Sequence, residues 1–414
     1  MEKPKGKTSP RRYTRRGFLT TVARGTVAAS VLTAYGATAF KAKAAPAAVN
    51  IGGLYPVTGS FGQIGQSCVN AAKLAVQMVN SAGGIKSLGA APLNLILSDV
   101  QSDTTVTRTE TERLITSNKL SAIHGSFASA LTLITSEVAE RLKMPLLTGS
   151  SSDLLNQGGR KYTFTPFARA SQFAQAQLRM AKLIASGKPK VAVVFENTAF
   201  GTSSSKGLQD QAPAAGVEIV MFEPYSAGFA DASPLINKVR ASGAGMLFAV
   251  SYLTDLVLIV RTMKQMGVNI PINGGSGGFI IPDFYKNVGK DAEGLVGVAH
   301  WNHDMNADAK TVDAAYQKQY GDFIFESQGS LVAQTFMIAD ALERAASPDP
   351  QKVRDALASL DVSKGYAAMA PGGKVKFDQN GKNVYGHPLG VQWQKGNLVT
   401  VFPKGEARAE LIKV

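Results

Sequence analysis

Short apolar runs alternate with longer stretches of helical period from Val49 onward, and the alternation occurs in two series. In the first, the pattern predicts strands over 49–55, 92–98, 122–125, 145–148 and 162–165, with helices near 65–81, 104–117, 131–142 and 152–157. In the second, strands fall at 191–195, 218–222, 246–250, 271–273 and 294–299, and helices near 203–215, 234–242, 253–266 and 282–288. Gly83-Gly84 closes the first helix as a C-terminal glycine does. Strict alternation predicts parallel sheets covered by helices on both faces, and its repetition predicts two doubly wound, Rossmann-like α/β lobes. Helical periodicity then dominates 307–358, and short strands at 375–377, 389–394 and 398–402 read as an antiparallel meander. The chain beyond residue 45 also exceeds the roughly 250 to 300 residues at which a single core stops growing.

Ligands of doubly wound domains gather at the carboxyl ends of the strands. Here those ends read Ser60-Phe61, Ser126-Phe127-Ala128-Ser129 and Thr148-Gly149-Ser150-Ser151-Ser152 in the first series. In the second they read Glu196-Asn197-Thr198-Ala199-Phe200, Ser251-Tyr252 and Gly274-Gly275-Ser276. Hydroxyls line one edge, aromatics and glycines the other, so a cleft between them has one polar and one apolar wall. The stretch from Met144 to Leu155 runs from an apolar strand through three serines into a helix-like segment opened by Asp153. Free N–H groups and a helix dipole would make an anion site there; Ser and Asp also serve simply as helix caps.

The first 45 residues read differently. Lysines and arginines lead into Arg15-Arg16-Gly17-Phe18-Leu19, then a mildly apolar run, then small residues at Ala42 and Ala44. A twin arginine followed by Phe-Leu reads as a Tat export signal, and the run over 25–40 is too short and too polar to span a bilayer. This leader holds ten Lys or Arg and one Glu, leaving 34 basic and 29 acidic residues, a net of +5, of the formal +14. No basic run with interleaved aromatics remains, which sets nucleic-acid binding aside. The single cysteine, Cys68, permits no internal disulfide and reads as a small buried helix residue.

Catalytic signatures are missing. Gly59-x-x-Gly62-x-x-Gly65 lacks dinucleotide-loop spacing, although Asp99 ends the next strand where a ribose-binding acid would stand. There is no phosphate loop, no zinc-protease helix motif and no nucleophile elbow. His300 and His303 form an H-x-x-H with only Asp304 adjacent, which favours an interdomain or surface role over a metal. His124 reads as a hydrogen-bonded core residue. No cofactor is implied, and the chain reads as a monomer without catalysis of its own.

Together these features resemble a known family. The first strand runs into a Val57-Thr58-Gly59 turn; Gly125 to Ser129, Leu146 to Asp153 and Ala199-Phe200-Gly201 follow; Val375-x-Phe377-Asp378-x-x-Gly381 precedes Val391-Gln392-Trp393. In this order they look like the periplasmic Leu/Ile/Val-binding proteins of ABC importers. The resemblance implies a type I periplasmic binding protein fold: two lobes joined by three crossover strands, 46–168 plus 299–362 and 169–298 plus 363–414. It implies a small-molecule solute, a permease in the inner membrane, export by the Tat machinery and a periplasmic location. Position by position it implies ligand contacts from Ser60, Phe61, Ala128, Ser129, Ser151 and Ser152 in the first lobe, and from Phe200, Tyr252 and Ser276 in the second. Amino-acid binders of the family commonly carry Tyr where Phe200 stands and Glu or Asp where Ser276 stands. A buried ammonium without its acid would lose on the order of 3 to 5 kcal/mol, so these two departures favour a carboxylate with an apolar or aromatic body. Glu196 and Asp255 are possible replacements off the motif position. An amide or urea-like solute, a sensor subunit using the same cleft, and an exported enzyme are the competing readings.

Overall fold

The computed structural model describes residues 46–185 and 187–413, so the predicted Tat leader lies outside the described residues. The chain opens as β1 (Val49–Tyr55), α1 (Gly62–Ser81), β2 (Leu93–Asp99), α2 (Thr104–Ser117), β3 (Leu120–Gly125), α3 (Ser129–Leu142), β4 (Leu146–Leu147) and β5 (Thr163–Phe164). These strands form one parallel sheet in the order β2-β1-β3-β4-β5.

A second series follows: α4 (Ala170–Ile184), β6 (Lys190–Glu196), α5 (Ala199–Ala215), β7 (Glu218–Tyr225), α6 (Ser233–Ala241), β8 (Met246–Val250), α7 (Leu253–Gln265), β9 (Ile272–Gly274), α8 (Pro282–Val288) and β10 (Val296–Ala299). Then come α9 (Ala307–Tyr320), α10 (Glu326–Ala345), α11 (Pro350–Ala358), β11 (Asp361–Val362), β12 (Val375–Lys376), β13 (Leu389–Gln394) and β14 (Asn397–Phe402). The second sheet has the order β14-β13-β10-β9-β8-β6-β7, with β13 and β14 antiparallel at its edge.

Burial explains this arrangement. The central strands β6 and β8 are near-continuous apolar runs, and these two and β3 have nearly every residue buried, as strands covered on both faces must be. Helix starts are fixed locally: the side chains of Asp103, Thr198, Asn306 and Asp349 each accept a first-turn N–H of α2, α5, α9 and α11. Gly83, at φ +101, follows the end of α1 in the left-handed region that glycine tolerates. Helix α10 lies against α1 and the first sheet, while α4 covers β10 and β13 of the second. The backbone thus passes between the two sheets three times: before α4, after β10 and before β13.

Three expectations need correction. The segment over 152–157 is only a four-residue 3-10 turn, Asp153–Asn156, too short to carry the helix dipole expected there. Helix α4 occupies a stretch that the periodicity had left unassigned. Finally, β12 pairs with β11 in a separate two-stranded sheet, so the closing strands are a hairpin of β13 and β14 and not a three-stranded meander.

Candidate functional site

Each sheet has a point where neighbouring strands run on to opposite faces, between β1 and β3 in the first and between β6 and β8 in the second. Loops diverge there and leave a crevice at the carboxyl ends. The loops after β3, β4, β8 and β9, with the start of α5, line one cavity closed from the far side by α10. It is a narrow cavity of about 40 Å3, well below the roughly 300 to 1,000 Å3 usual for small-molecule sites.

The first sheet supplies hydrogen-bond donors. Helix α3 begins at Ser129 after an extended Ala128, no side-chain hydrogen bond caps it, and Ser129 lines the cavity. This helix carries the dipole that the 3-10 turn cannot. The Ser150 hydroxyl donates to that of Ser129 at 3.0 Å, and Thr148, Ser150 and Ser151 complete the edge. The loop is held from behind. Buried Arg169 donates to the carbonyls of Ser150 and Phe167, and Asp153 accepts the N–H and hydroxyl of Ser171 at 2.9 and 2.7 Å. Asp153 therefore caps α4 and not a helix of its own.

The second sheet supplies rings. Tyr252 stacks on Phe200 at 5.2 Å between centroids and meets Phe61 and Phe127 of the first sheet at 4.8 and 5.6 Å. Burial, with the Glu196 carboxylate adding to it, raises the Tyr252 hydroxyl well above its ordinary pKa. Two more contacts bridge the crevice: Ser152 Oγ with Ser203 Oγ at 3.0 Å, and Gln63 Nε2 donating to Asp283 at 2.6 Å.

Helix α10 supplies acceptors. Glu326 is the one carboxylate lining the cavity among the described residues. Its Oε1 accepts from the Ser276 hydroxyl at 2.5 Å, and its Oε2 accepts from the His300 backbone N–H at 2.7 Å. Burial lifts the Glu326 carboxyl to about 7, against the pull of those two donors and of the Arg169 charge. The His300 ring lies against Phe167 and Phe173, and burial together with Arg169 holds its pKa well below the ordinary value, so it is neutral.

The sequence-predicted residues divide into two groups. Ser129, Ser151, Phe200, Tyr252 and Ser276 line this cavity. Ser60 and Phe61 instead line a neighbouring cavity that also holds Glu196 and Asp255, with Tyr252 as the partition between the two. Ser152 turns its hydroxyl to Ser203, and Ala128 is buried beside the core of the first sheet; neither lines the cavity. Glu196 and Asp255 thus lie outside the cavity that Ser276 lines, and the carboxylate beside Ser276 is that of Glu326, fifty residues further along.

Other residues keep to supporting places. Asp99 accepts the Val57 and Gln101 N–H groups and the Thr58 hydroxyl, bracing the turn after β1. Tyr55 and His124 share a hydrogen bond of 2.5 Å in the core. His303 bonds the Leu398 carbonyl, away from His300, and no group of three metal-ligating side chains occurs among the described residues. Trp301 is fully buried, and Cys68, also buried, touches the cavity floor. No described helix is long and apolar enough to cross a membrane.

Comparison with known proteins agrees with this architecture. The profile of the periplasmic binding protein family matches residues 48–397. Leu/Ile/Val-binding protein homolog 8 of Brucella suis biovar 1 is 30% identical over 403 residues, covering 93% of this chain and 97% of the relative. Homolog 7 of Brucella abortus is 30% identical over 400 residues, covering 92% of this chain and 98% of the relative. The substrate-binding protein LivJ of Streptococcus pneumoniae, solved with isoleucine, superposes with a TM-score of 0.76 at 22% identity, covering 86% of this chain and 100% of that one. A substrate-binding protein of Desulfitobacterium hafniense, solved with Leu, gives a TM-score of 0.70 at 18% identity, covering 85% and 99%. At such identities the superpositions speak for the fold, which is that of a type I periplasmic binding protein. The family is one of solute-binding proteins working in the periplasm or outside the cell. With the profile spanning nearly the whole described chain, the protein belongs to the periplasmic binding protein family.

Proposed function

We propose that this chain is the exported substrate-binding subunit of an ABC importer of the branched-chain amino acid type. In this reading its lobes, 46–168 with 299–362 and 169–298 with 363–414, close on a small carboxylate-bearing solute and deliver it to a permease in the inner membrane. The observation that carries the proposal is the enclosed cavity at both switch points, in which the uncapped start of α3 and the hydroxyls of Ser129, Ser150 and Ser151 face the rings of Phe200 and Tyr252. Neutral donors to a charged acceptor contribute roughly 1.5 to 3 kcal/mol each.

Closure follows from contacts available in only one state. A solute held by the donor edge gains Phe200, Tyr252 and Ser276 when the second lobe arrives, and its preference for the closed form equals the free energy of those extra contacts. The bridges Ser152–Ser203 and Gln63–Asp283 would form and break with the same motion. Export by the Tat route rests on Arg15-Arg16-Gly17-Phe18-Leu19.

A thermal-shift screen of the mature protein against amino acids, aliphatic and aromatic acids, and neutral amides tests the proposal. Saturable stabilisation by a carboxylate-bearing solute without its turnover is the expected result. Stabilisation by neutral amides alone, or conversion of the solute, would overturn it.

A further inference from the structure

Helix α10 meets the cavity along one stripe. Glu326, Ser330 and Gln334 recur every four residues and all three line it. At helical rise this stripe extends about 12 Å, and each of its residues is buried. An amphipathic helix ordinarily turns apolar side chains inward, and α10 does so with Val332, Met337 and Ile338. Toward the cavity it turns these three polar side chains, with Leu331 beside them.

The stripe is also short of donors. The Oε1 atom of Gln334 is buried without a hydrogen-bond partner, and a buried acceptor left in that state costs roughly 1 to 3 kcal/mol. Among the described residues no lysine or arginine donates to Glu326: Arg169 directs its guanidinium to the Ser150 and Phe167 carbonyls, and the His300 ring, whose Nδ1 stands 3.4 Å from Glu326 Oε1, is held neutral by burial and by Arg169. Gly149 packs directly against this stripe, since a Cβ there would stand 2.8 Å from Ser330 Oγ and 3.3 Å from Gln334 Nε2. The cavity thus has a donor edge at Ser129 to Ser151 and an acceptor wall on α10.

Resting on the reading of this cavity as a carboxylate site, we infer that α10 is its specificity-determining wall: Glu326, with Gln334 beyond it, receives the N–H groups of a solute that carries nitrogen as well as a carboxylate. Plain aliphatic and aromatic acids bring no N–H to either group, so they leave Gln334 Oε1 unpaired and the Glu326 carboxylate without a cation, and are rejected. Selection for the nitrogen is thereby placed on α10, with Ser276 reduced to orienting the Glu326 carboxylate through their 2.5 Å hydrogen bond.

The test is isothermal titration of the wild-type protein, E326Q and Q334L with three matched pairs: L-leucine and 4-methylpentanoate, L-glutamine and glutaramate, L-phenylalanine and 3-phenylpropanoate. Glutaramate keeps an amide and so reports on Gln334 apart from Glu326. Wild-type protein is expected to bind an amino acid at least tenfold more tightly than its deaminated partner. E326Q, isosteric and able to keep the Ser276 contact, is expected to lose that margin while its thermal melt remains cooperative. Equal or tighter binding of 4-methylpentanoate or 3-phenylpropanoate by wild type, or an unchanged margin in E326Q, overturns the inference and leaves the carboxylate site standing. Failure of all six acids to bind overturns the carboxylate reading and the inference with it.

Discussion

The hydroxyl of Ser276, just past β9, donates to the carboxylate of Glu326 at the first turn of α10 across 2.5 Å. Each residue alone has an ordinary reading, a loop serine and an acid at a helix N-terminus. Joined, they put a buried titratable group on the wall of the cavity.

That group makes stability depend on pH. Burial raises the folded-state carboxyl of Glu326 from 4.5 to about 7, so the folded protein retains a proton that the unfolded chain gives up. Its contribution is full below about pH 4.5 and is lost as the pH rises through 7. Replacing the acid by an amide removes this loss. The melting temperature of E326Q minus that of the wild type is therefore expected to grow between pH 5 and pH 8 in the absence of solute. The Glu196 carboxyl, itself lifted to about 7, remains in both proteins and cancels in the difference, while His300, 3.4 Å from Glu326, is held neutral over this range by its burial. A gap independent of pH would show that Glu326 titrates normally.

Gly329 seats α10 on Trp301. A Cβ on Gly329 would fall 2.4 Å from three carbons of the fully buried indole, and neither the helix nor the ring has room to yield. Overpacking of this kind costs roughly 1 to 3 kcal/mol. Gly329→Ala is expected to lower the midpoint of urea unfolding and to change the fluorescence of the native protein. An unmoved midpoint would mean that the ring is free to shift.

Cys68 touches the cavity floor yet is closed to solvent, and burial pushes its thiol up to about 12. Thiolate is the reactive form. No reaction with a disulfide reagent is expected at pH 8 in the native protein, and one thiol is expected after unfolding. Rapid labelling of the native protein would place the cysteine in an accessible channel.

Much of this architecture is legible in the sequence because its signals are local. Apolar runs such as those of β6 and β8 mark strands buried on both faces, and helices α2 and α5 carry Asp103 and Thr198 as caps next to their first turns. Helix α4 is less legible for the opposite reason. It starts at Arg169 without a short capping side chain, and its second residue, Ser171, is held by Asp153 from eighteen positions upstream. That same Asp153 made the preceding segment resemble a helix start. Glu326 was missed because its partner lies fifty positions away on another element. Its one local signal is its four-residue spacing with Ser330 and Gln334 along one face of α10. The chirality of packing, which decides that Ser151 faces the cavity while Ser152 faces Ser203, is not written in the run of three serines.

The donor edge holds the centre of the proposal, and one measurement reaches it directly: isothermal titration of the wild type and of the double variant Ser129→Ala with Ser151→Ala, using the carboxylate solute that most stabilises the wild type. Thr109→Ala, an exposed residue of α2 whose hydroxyl bonds only the Thr105 carbonyl, serves as the control. Removal of two hydroxyl donors to a charged acceptor is predicted to weaken binding by roughly tenfold or more, with one site per chain in the wild type and little change in the control. Unchanged affinity in the double variant would contradict binding of the carboxylate at Ser129 and Ser151.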